Sequence, residues 1–153
     1  MIKASSAEGS LMRNVNQILE AKGARIVAVP KEAPVLEVIR LMAEHHIGSV
    51  LVVQGHELLG IATERDYARK VILQGRSSAD TPVAQIMSSP VVTVGPTDTV
   101  QTCMGVMTDR KIRHLPVVEG GQLLGMISIG DLVKAVIEDQ QQEIAQLQQY
   151  IAS

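Results

Sequence analysis

Two short stretches decide the fold: Gly-Ile-Ala-Thr-Glu-Arg-Asp at residues 60–66 and Gly-Met-Ile-Ser-Ile-Gly-Asp at residues 125–131. Each begins with a glycine and two apolar residues, continues with a hydroxyl side chain, and reaches an aspartate three positions later. The two glycines are 65 residues apart (125 − 60 = 65), and this offset aligns residues 26–72 with residues 91–137 without a gap. The sequence therefore contains an internal repeat, which has to be recognised before any fold is assigned.

Both copies of the repeat predict the same order of elements. A short apolar strand, residues 26–29 or 91–94, precedes a helix whose apolar residues recur at i, i+3, i+4 and i+7. These residues are Val35, Val38, Ile39 and Met42 in the first copy, and Val100, Cys103, Met104 and Met107 in the second. Two β-rich runs joined by a glycine-containing turn follow, and each motif then starts a second helix. We therefore predict an α+β fold in which a β-α-β-β-α unit occurs twice.

The repeat also sets the predicted domain boundaries. Residues 1–14 form an N-terminal tail, residues 15–74 the first repeat and residues 83–138 the second, with a polar linker at residues 75–82. The remaining residues, 139–153, are rich in glutamine and carry Ile144, Leu147 and Ile151 at helical spacing. We predict that this C-terminal extension continues the last helix and needs a partner surface, either its own domain or a second chain.

The composition excludes several classes of protein. The chain of 153 residues is 46% hydrophobic but has two Tyr, no Phe and no Trp, so its core must be aliphatic. Aromatic platforms for single-stranded nucleic acid and aromatic cages for ammonium groups are therefore excluded. A net charge of −2 gives no support to a phosphate-backbone binder, so nucleic acid is not an expected partner.

The cysteine count and the absence of targeting signals also limit the kinds of protein that this sequence can be. Cys103 is the single cysteine, which excludes an internal disulfide, and we interpret it as a buried core residue. No metal site is predicted. We find no signal peptide and no apolar run of membrane-spanning length, and therefore expect a cytoplasmic protein with no membrane partner.

The two motifs allow two interpretations. A Thr or Ser at a helix N-cap followed by an acid three positions later is close to a capping box, which is purely structural. The same atoms also suit a nucleotide, because a helix N-terminus with a hydroxyl favours phosphate and a carboxylate can accept from both ribose hydroxyls. Capping alone does not explain why the pattern recurs beside other polar features, so both interpretations stay open. No nucleophile–base–acid set is visible, and we expect no catalytic residues and no enzymatic activity.

Taken in order, these segments resemble a known family. The two motifs, the Ile86-Met87 pair and the run Arg-Lys-Ile-Arg-His-Leu-Pro-Val-Val at residues 110–118 are similar to a tandem pair of cystathionine-β-synthase (CBS) domains, also called a Bateman module. The resemblance covers residues 15 to about 138, and residues 64–71 are especially similar to stand-alone bacterial members. It implies two repeats packed as a pseudo-two-fold pair. It also implies a regulatory module that binds AMP, ADP, ATP, NAD(H) or S-adenosylmethionine in clefts between the repeats and reports energy or redox state by rearranging.

The same resemblance implies a set of nucleotide-binding residues. The hydroxyl–aspartate pairs would hold phosphate and ribose, the strand after the first helix would line adenine, the first strand would give backbone contacts, and arginines would meet the phosphates. In this sequence the set is Ala28, Gly48, Ser49, Val50, Thr63, Arg65, Asp66, Arg69, Thr93, Arg113, His114, Leu115, Pro116, Ser128 and Asp131. Arg65 aligns with Gly130, so we expect two sites of unequal affinity, the second being the one more readily filled.

The resemblance also implies partners, and two alternative functions remain open. The resemblance implies a homodimer formed through the CBS helices. We expect no attached effector domain, and therefore an output through an unidentified effector protein or through the oligomeric state. The first alternative is a protein-interaction scaffold with vestigial clefts, in which the hydroxyl–aspartate pairs only cap helices. The second alternative is an enzyme or a DNA regulator. The sequence does not distinguish AMP, ATP and NAD(H) as the ligand.

Overall fold

The computed structural model describes residues 13–23 and 25–152. These residues form helices α1 (Val15–Lys22), α2 (Val35–His45), α3 (Glu64–Tyr67), α4 (Val100–Arg110) and α5 (Ile129–Ala152), and strands β1 (Ala28–Val29), β2 (Ser49–Gln54), β3 (Glu57–Thr63), β4 (His114–Glu119) and β5 (Gln122–Ser128). A π-helical segment, Ala68–Ile72, continues α3, and a 3₁₀ turn covers Val83–Gln85. The predicted α+β class is confirmed. Of the predicted tail, only Arg13 and Asn14 lie within the described residues.

The described chain divides into two compact units. The first-repeat unit contains Arg25–Val92 and the hairpin tip Glu119–Leu124; the second-repeat unit contains α1, Thr93–Val118 and the chain from Gly125 onward. The units do not follow the repeat boundaries of the sequence. Helix α1, with which the predicted first repeat begins, lies in the second-repeat unit, and residues 83–88, with which the predicted second repeat begins, lie in the first-repeat unit. We call these two stretches the leading segments.

The first-repeat unit has a three-stranded sheet. Strand β1 pairs with β2 in parallel, and β2 pairs with β3 antiparallel, with Ser49 opposite Thr63. The leading segment extends this sheet, because Ser88 exchanges backbone hydrogen bonds of 2.8 and 3.1 Å with Ile61 of β3. Helix α2 buries the predicted face against a core that is aliphatic, with the partly buried Tyr67 packed against it. The core cluster comprises Val29, Ala33, Val35, Val38, Met42, Val50, Val52, Ala62, Val71, Val83 and Ile86.

The second-repeat unit is built on the β4–β5 hairpin. The predicted strand at residues 91–94 is wrong in extent: only Val94 is paired, through bonds of 3.0 Å to the Pro116 carbonyl and 2.9 Å from the Val118 amide. Pro90 and Pro96 flank this segment, and neither has a backbone amide with which to extend the ladder beyond it. Helix α1 is joined to the loop before α4, since the amide of Val15 donates to the Asp98 carbonyl at 2.9 Å.

The repeat extends to backbone detail at the C-terminal ends of α2 and α4. His46 after α2 and Lys111 after α4 are equivalent positions, and both have a φ of 55° in the left-handed region. In both copies the next amide bonds back to a methionine carbonyl at 3.0 Å, from Ile47 to Met42 and from Ile112 to Met107. This is the left-handed helix termination usually given to glycine or asparagine, here kept by two different side chains.

The two motif glycines face the leading segments closely, and this gives a stability prediction. A Cβ at Gly60 would lie 2.5 Å from Met87 Sδ and 3.0 Å from the Ser88 carbonyl oxygen, whereas a Cβ at Gly125 would lie 2.9 Å from a terminal methyl of Leu19. We expect Gly60→Ala to lower the free energy of unfolding by about 1–3 kcal/mol, because a backbone carbonyl cannot move aside. Gly125→Ala is the matched control and is expected to cost less. Urea denaturation of both variants checks this, and equal losses would contradict it.

Candidate functional site

The first motif forms the capping box that the sequence predicts. Strand β3 ends at Thr63, and its hydroxyl accepts the Asp66 amide at 3.1 Å while Asp66 Oδ2 accepts the Thr63 amide at 3.0 Å. The Thr63 hydroxyl also lies 3.1 Å from Oδ2 and donates to it. The motif therefore has a structural role at the start of α3, whatever else it does.

The other oxygen of Asp66 is also engaged. Lys70 Nζ lies 3.1 Å from Oδ1, and the Ser88 hydroxyl lies 3.4 Å from the same atom. Lys70 further donates to the Ile86 carbonyl at 2.9 Å, which ties the carboxylate to the leading segment of this unit. Asp66 is buried, its side chain being 9% exposed, so a nucleotide that used this carboxylate would have to replace one of these bonds.

The second motif repeats the arrangement with a different cation. Asp131 Oδ2 accepts the Ser128 amide at 2.9 Å, and the Ser128 hydroxyl accepts the Asp131 amide at 3.2 Å. Lys22 of α1 lies 2.7 Å from the same Oδ2 and also donates to the Met126 carbonyl at 3.0 Å. Among the described residues no hydrogen bond reaches Asp131 Oδ1, and the side chain is 21% exposed. Asp131 is therefore the more accessible of the two acids.

The charges around Asp131 favour its ionised form. Partial burial by itself would raise the pKa of this carboxyl, but the hydrogen bonds from Lys22 and Ser128 outweigh it and hold the pKa below its usual value. A carboxyl with a lowered native pKa stabilises the fold above its unfolded pKa of about 4, and that contribution is lost as the pH falls through the native pKa.

This gives a pH prediction for the Lys22–Asp131 pair. Lys22→Met should move the acid-unfolding midpoint to higher pH, because without the cation the native pKa of Asp131 rises towards its unfolded value. At neutral pH the loss should be about 0.2–1 kcal/mol, the range for a partly exposed ion pair. Circular dichroism over an acid titration measures both. Lys134→Met, on the exposed side of α5, is the matched control, and an equal shift in the two variants would refute the assignment.

The remaining predicted residues of the first copy fall into three groups. Gly48 and Ser49 lie beside Thr63 at one end of the sheet, where the Gly48 carbonyl accepts the Glu64 amide at 3.1 Å. Val50 is fully buried in the core, so neither its side chain nor its backbone is exposed to a ligand in this structure. Ala28 is half-buried in β1, and the two predicted arginines, Arg65 and Arg69, are exposed.

The second copy places its residues in the same way. The Arg113 carbonyl accepts the Ile129 amide at 2.9 Å, which reproduces the bond between Gly48 and Glu64. The Arg113 side chain and Thr93 are exposed, and His114 is half-buried. Of the three predicted adenine-lining residues, His114, Leu115 and Pro116, the last two are buried, with no exposed surface on Leu115. The predicted pocket strand therefore presents its polar end, not its aliphatic side chains.

Sequence reasoning missed the two lysines. Lys70 could have been found, because it follows Asp66 by four residues on a helix, a spacing at which opposite charges meet. Lys22 carries no such signal, since 109 positions separate it from Asp131. Only the crossed packing of α1 into the second-repeat unit brings the two together.

The first-repeat unit also has an open cleft of about 320 Å³ at the carboxyl ends of β1 and β2. Its lining residues are Ala28, Val29, Pro30, Lys31, Glu32, Val53, Gln54 and Gly55. Of the predicted binding residues only Ala28 lines it, and Ser49 and Thr63 lie at the other end of β2. The cleft is therefore separate from the motif.

Three further observations concern the described part of the chain. It contains no cluster of three or more His, Cys, Asp or Glu side chains that could hold a metal ion. None of its helices is both long and apolar enough to cross a membrane. Cys103 is buried, and burial together with the charge of Asp98 raises the pKa of its thiol to about 11, which agrees with its interpretation as a core residue.

Comparison with known proteins decides the family. The CBS-domain family model matches residues 21–72 and residues 83–138. The chain belongs to the CBS-domain family. The first match lies within the predicted first repeat, residues 15–74, and the second covers residues 83–138. CBS pairs are regulatory modules that typically bind adenosine ligands, and no catalytic family matches the chain.

Relatives and solved structures agree with this membership. A mitochondrial CBS domain-containing protein of Arabidopsis thaliana, CBSX3, is 43% identical over 122 residues, which cover 76% of this chain and 59% of that protein. A putative signal-transduction protein with CBS domains from Burkholderia ambifaria is 53% identical, with a TM-score of 0.81 over 84% of this chain and 96% of that one. A CBS domain protein of Pyrobaculum aerophilum, solved in complex with AMP, is 28% identical, with a TM-score of 0.73 over 83% of this chain and 97% of that one.

Proposed function

We propose that this CBS pair is a regulatory module that binds adenosine nucleotides, with AMP, ATP and NAD(H) as the candidate ligands. The observation that carries the proposal is the duplicated hydroxyl–aspartate helix start, in which each carboxylate lies within 3.1 Å of a lysine amine. A carboxylate and a cation side by side at a helix N-terminus match the ribose and phosphate of a nucleotide. The AMP complex of the Pyrobaculum relative supports the same ligand class.

Binding would exchange bonds at the site. A nucleotide phosphate would take the lysine amine and the amides at the helix start, and the freed aspartate oxygen would accept the ribose hydroxyls. After this exchange the lysine amine and the carboxylate both still have hydrogen-bond partners, and before it the lysine–aspartate pair satisfies both groups in the empty site. Adenine would meet the backbone just before β2 and β4, at Gly48 and Arg113, because Val50 and Leu115 are fully buried.

The two sites should differ in affinity. Asp131 has an oxygen that no described hydrogen bond reaches, whereas both oxygens of Asp66 are bonded. A nucleotide has to displace fewer hydrogen bonds at the second motif, which supports the expectation that the second site binds it more readily. Arg65, present only in the first motif, would partly offset the difference by adding a cation.

The regulatory output follows from population shift. A ligand that binds one conformation of the pair more tightly favours that conformation, and a homodimer or an effector protein would read the change as a signal of energy or redox state. The cytoplasmic location stays a prediction, since the Arabidopsis relative is mitochondrial.

One observation favours the alternative of a protein-interaction scaffold with vestigial clefts. Both aspartates already cap helices and pair with lysines, so the motifs have a structural role without any ligand. In that case the duplicated hydroxyl–aspartate motif would serve only to stabilise the fold.

Isothermal calorimetry with AMP, ATP and NADH separates the two functions. We expect heat of binding with at least one of them at micromolar affinity, which corresponds to about −8 kcal/mol, and a thermal shift with the same ligand. GMP is the matched control for the adenine ring. If no adenosine compound gives heat or a thermal shift, the scaffold is the better description. Mass spectrometry of ligand that co-purifies with the protein identifies the physiological nucleotide.

A further inference from the structure

Lys22 reaches the second motif from a firmly held helix. It is the last residue of α1, and Leu19 of the same helix is buried and lies against Gly125. At the start of α1 the amide of Val15 donates to the Asp98 carbonyl at 2.9 Å. The helix is therefore anchored along its length within the second-repeat unit, and Lys22 can change its partner by moving its side chain alone.

The amine of Lys22 has two partners in the described part of the chain. It lies 2.7 Å from Asp131 Oδ2 and donates to the Met126 carbonyl at 3.0 Å. The ion pair is open to water, because the side chains of Lys22 and Asp131 are 36% and 21% exposed. An ion pair with this exposure adds little to stability, so a ligand can replace it at low cost.

A ribose and the lysine would compete for the same carboxylate. Oδ2 of Asp131 accepts both the Ser128 amide and the Lys22 amine, whereas no hydrogen bond among the described residues reaches Oδ1. Each carboxylate oxygen has about two acceptor positions, so Oδ2 is fully used. One ribose hydroxyl can donate to Oδ1 without displacing anything, but a second hydroxyl that donates to Oδ2 has to replace the lysine amine.

The charge of the ligand then decides what the displaced amine contacts. A nucleotide brings a phosphate, which can accept a charge-assisted hydrogen bond from the amine in place of the one that the carboxylate accepted. Adenosine brings no anion, so the amine would keep only the Met126 carbonyl. Adenosine therefore breaks an ion pair that AMP replaces, although the two compounds present the same ribose and the same base.

The first motif does not depend on its lysine in the same way. Arg65 and Arg69 are exposed there, and neither forms an ion pair with another described residue. A phosphate at the first motif would therefore find cations that no aspartate holds. The second motif has Gly130 in the place of Arg65, so Lys22 is the cation that its aspartate holds for a phosphate.

We propose that Lys22 makes the second motif selective for phosphorylated adenosine ligands, because it occupies Asp131 until a ligand supplies an anion for its amine. This inference rests on the proposed function and narrows its ligand class. It ranks AMP, ATP and NAD(H) above adenosine, and above S-adenosylmethionine, whose sulfonium is a further cation. Lys22 is a specificity-determining residue, since its contact differs between two ligands that share one nucleoside.

Calorimetry with AMP and adenosine tests this selectivity on the full chain. Every protein in the series carries Asp66→Ala, which weakens the first motif, and circular dichroism verifies that each one is folded. With Lys22 present, AMP should bind at least about 10-fold more tightly than adenosine. Lys22→Met should weaken AMP binding at least about 10-fold, since the phosphate loses a hydrogen bond from a charged group. Adenosine binding should stay unchanged or become up to about threefold tighter, because the competing amine is gone.

Two further variants separate the charge of Lys22 from a structural role. Lys22→Arg keeps the cation and should keep the preference for AMP over adenosine within about threefold. Lys31→Met is the matched control: it removes an exposed lysine of the first-repeat unit and should change neither dissociation constant by more than about twofold.

The outcomes distinguish this inference from the proposed function. A structural defect in Lys22→Met would weaken AMP and adenosine alike, and such an equal loss overturns the inference while the proposed function stands. A preference for AMP that is unchanged in Lys22→Met overturns it as well. If the unmodified chain binds neither AMP nor adenosine, the proposed function fails and the inference fails with it.

Discussion

Replacing Asp66 and Asp131 together by alanine is expected to weaken AMP binding at least about 100-fold. Each carboxylate would accept two hydrogen bonds from a ribose, and a hydrogen bond to a charged group contributes about 1.5–3 kcal/mol. Among the single variants, Asp131→Ala should have the larger effect, because Asp131 is the more accessible acid and has one carboxylate oxygen that no hydrogen bond among the described residues reaches. Calorimetry with AMP on the three variants measures these losses.

The same substitutions remove helix caps, so the experiment needs a structural control. Loss of a cap costs about 0.5–2 kcal/mol of stability, and a partly unfolded protein would bind less. Asp98→Ala removes a comparable bond, in which the Asp98 carboxylate accepts the Gly95 amide at 2.7 Å, without touching either motif. It should lower stability and leave the AMP dissociation constant unchanged. If the double variant binds AMP as the unmodified chain does, the two aspartates are caps and nothing more.

The fold was predictable because the repeat is encoded locally. Apolar spacing located α2 and α4, and the buried residues Val38 and Cys103 occupy equivalent places in the two. The apolar run at residues 91–94 predicts a strand, but only Val94 is paired, and Pro90 and Pro96 on either side have no amide with which to extend the ladder. Crossed packing of the leading segments was not predictable, since a repeat in sequence does not say which copy a connecting segment joins.

The part of the site that is formed by hydrogen bonds between residues close in sequence was predictable. The Thr63–Asp66 reciprocal pair is contained within four residues, and the sequence shows it. The lysine that completes the second motif comes from α1, and only tertiary packing supplies it. Side-chain direction was the other missing element: alternation along a strand puts neighbouring side chains on opposite faces, and the sequence alone did not show that Val50 and Leu115 face the core.

The burial of the Val50 and Leu115 side chains gives the prediction with the largest effect on stability. Leu115→Ala should lower the free energy of unfolding by about 2–5 kcal/mol, and Val50→Ala by about 1–3 kcal/mol, because both side chains are fully buried and the core has few large residues to close a cavity. Leu73→Ala makes the same change as Leu115→Ala at a residue that is 77% exposed, and it should cost no more than about 0.5 kcal/mol. Urea denaturation of the three variants measures the difference.

Nucleotide affinity then separates packing from recognition in the same variants. If adenine is held by the backbone just before β2 and β4, the folded fraction of Leu115→Ala should bind AMP with a dissociation constant within about threefold of the unmodified value. An aliphatic side chain that packed on the base would instead lose affinity in proportion to the surface removed. A tenfold weaker AMP complex in a Leu115→Ala protein that keeps most of its stability would show that this side chain faces the ligand. In a chain with no Phe and no Trp, such a result would make an aliphatic wall, and not the strand backbone, the surface that recognises adenine.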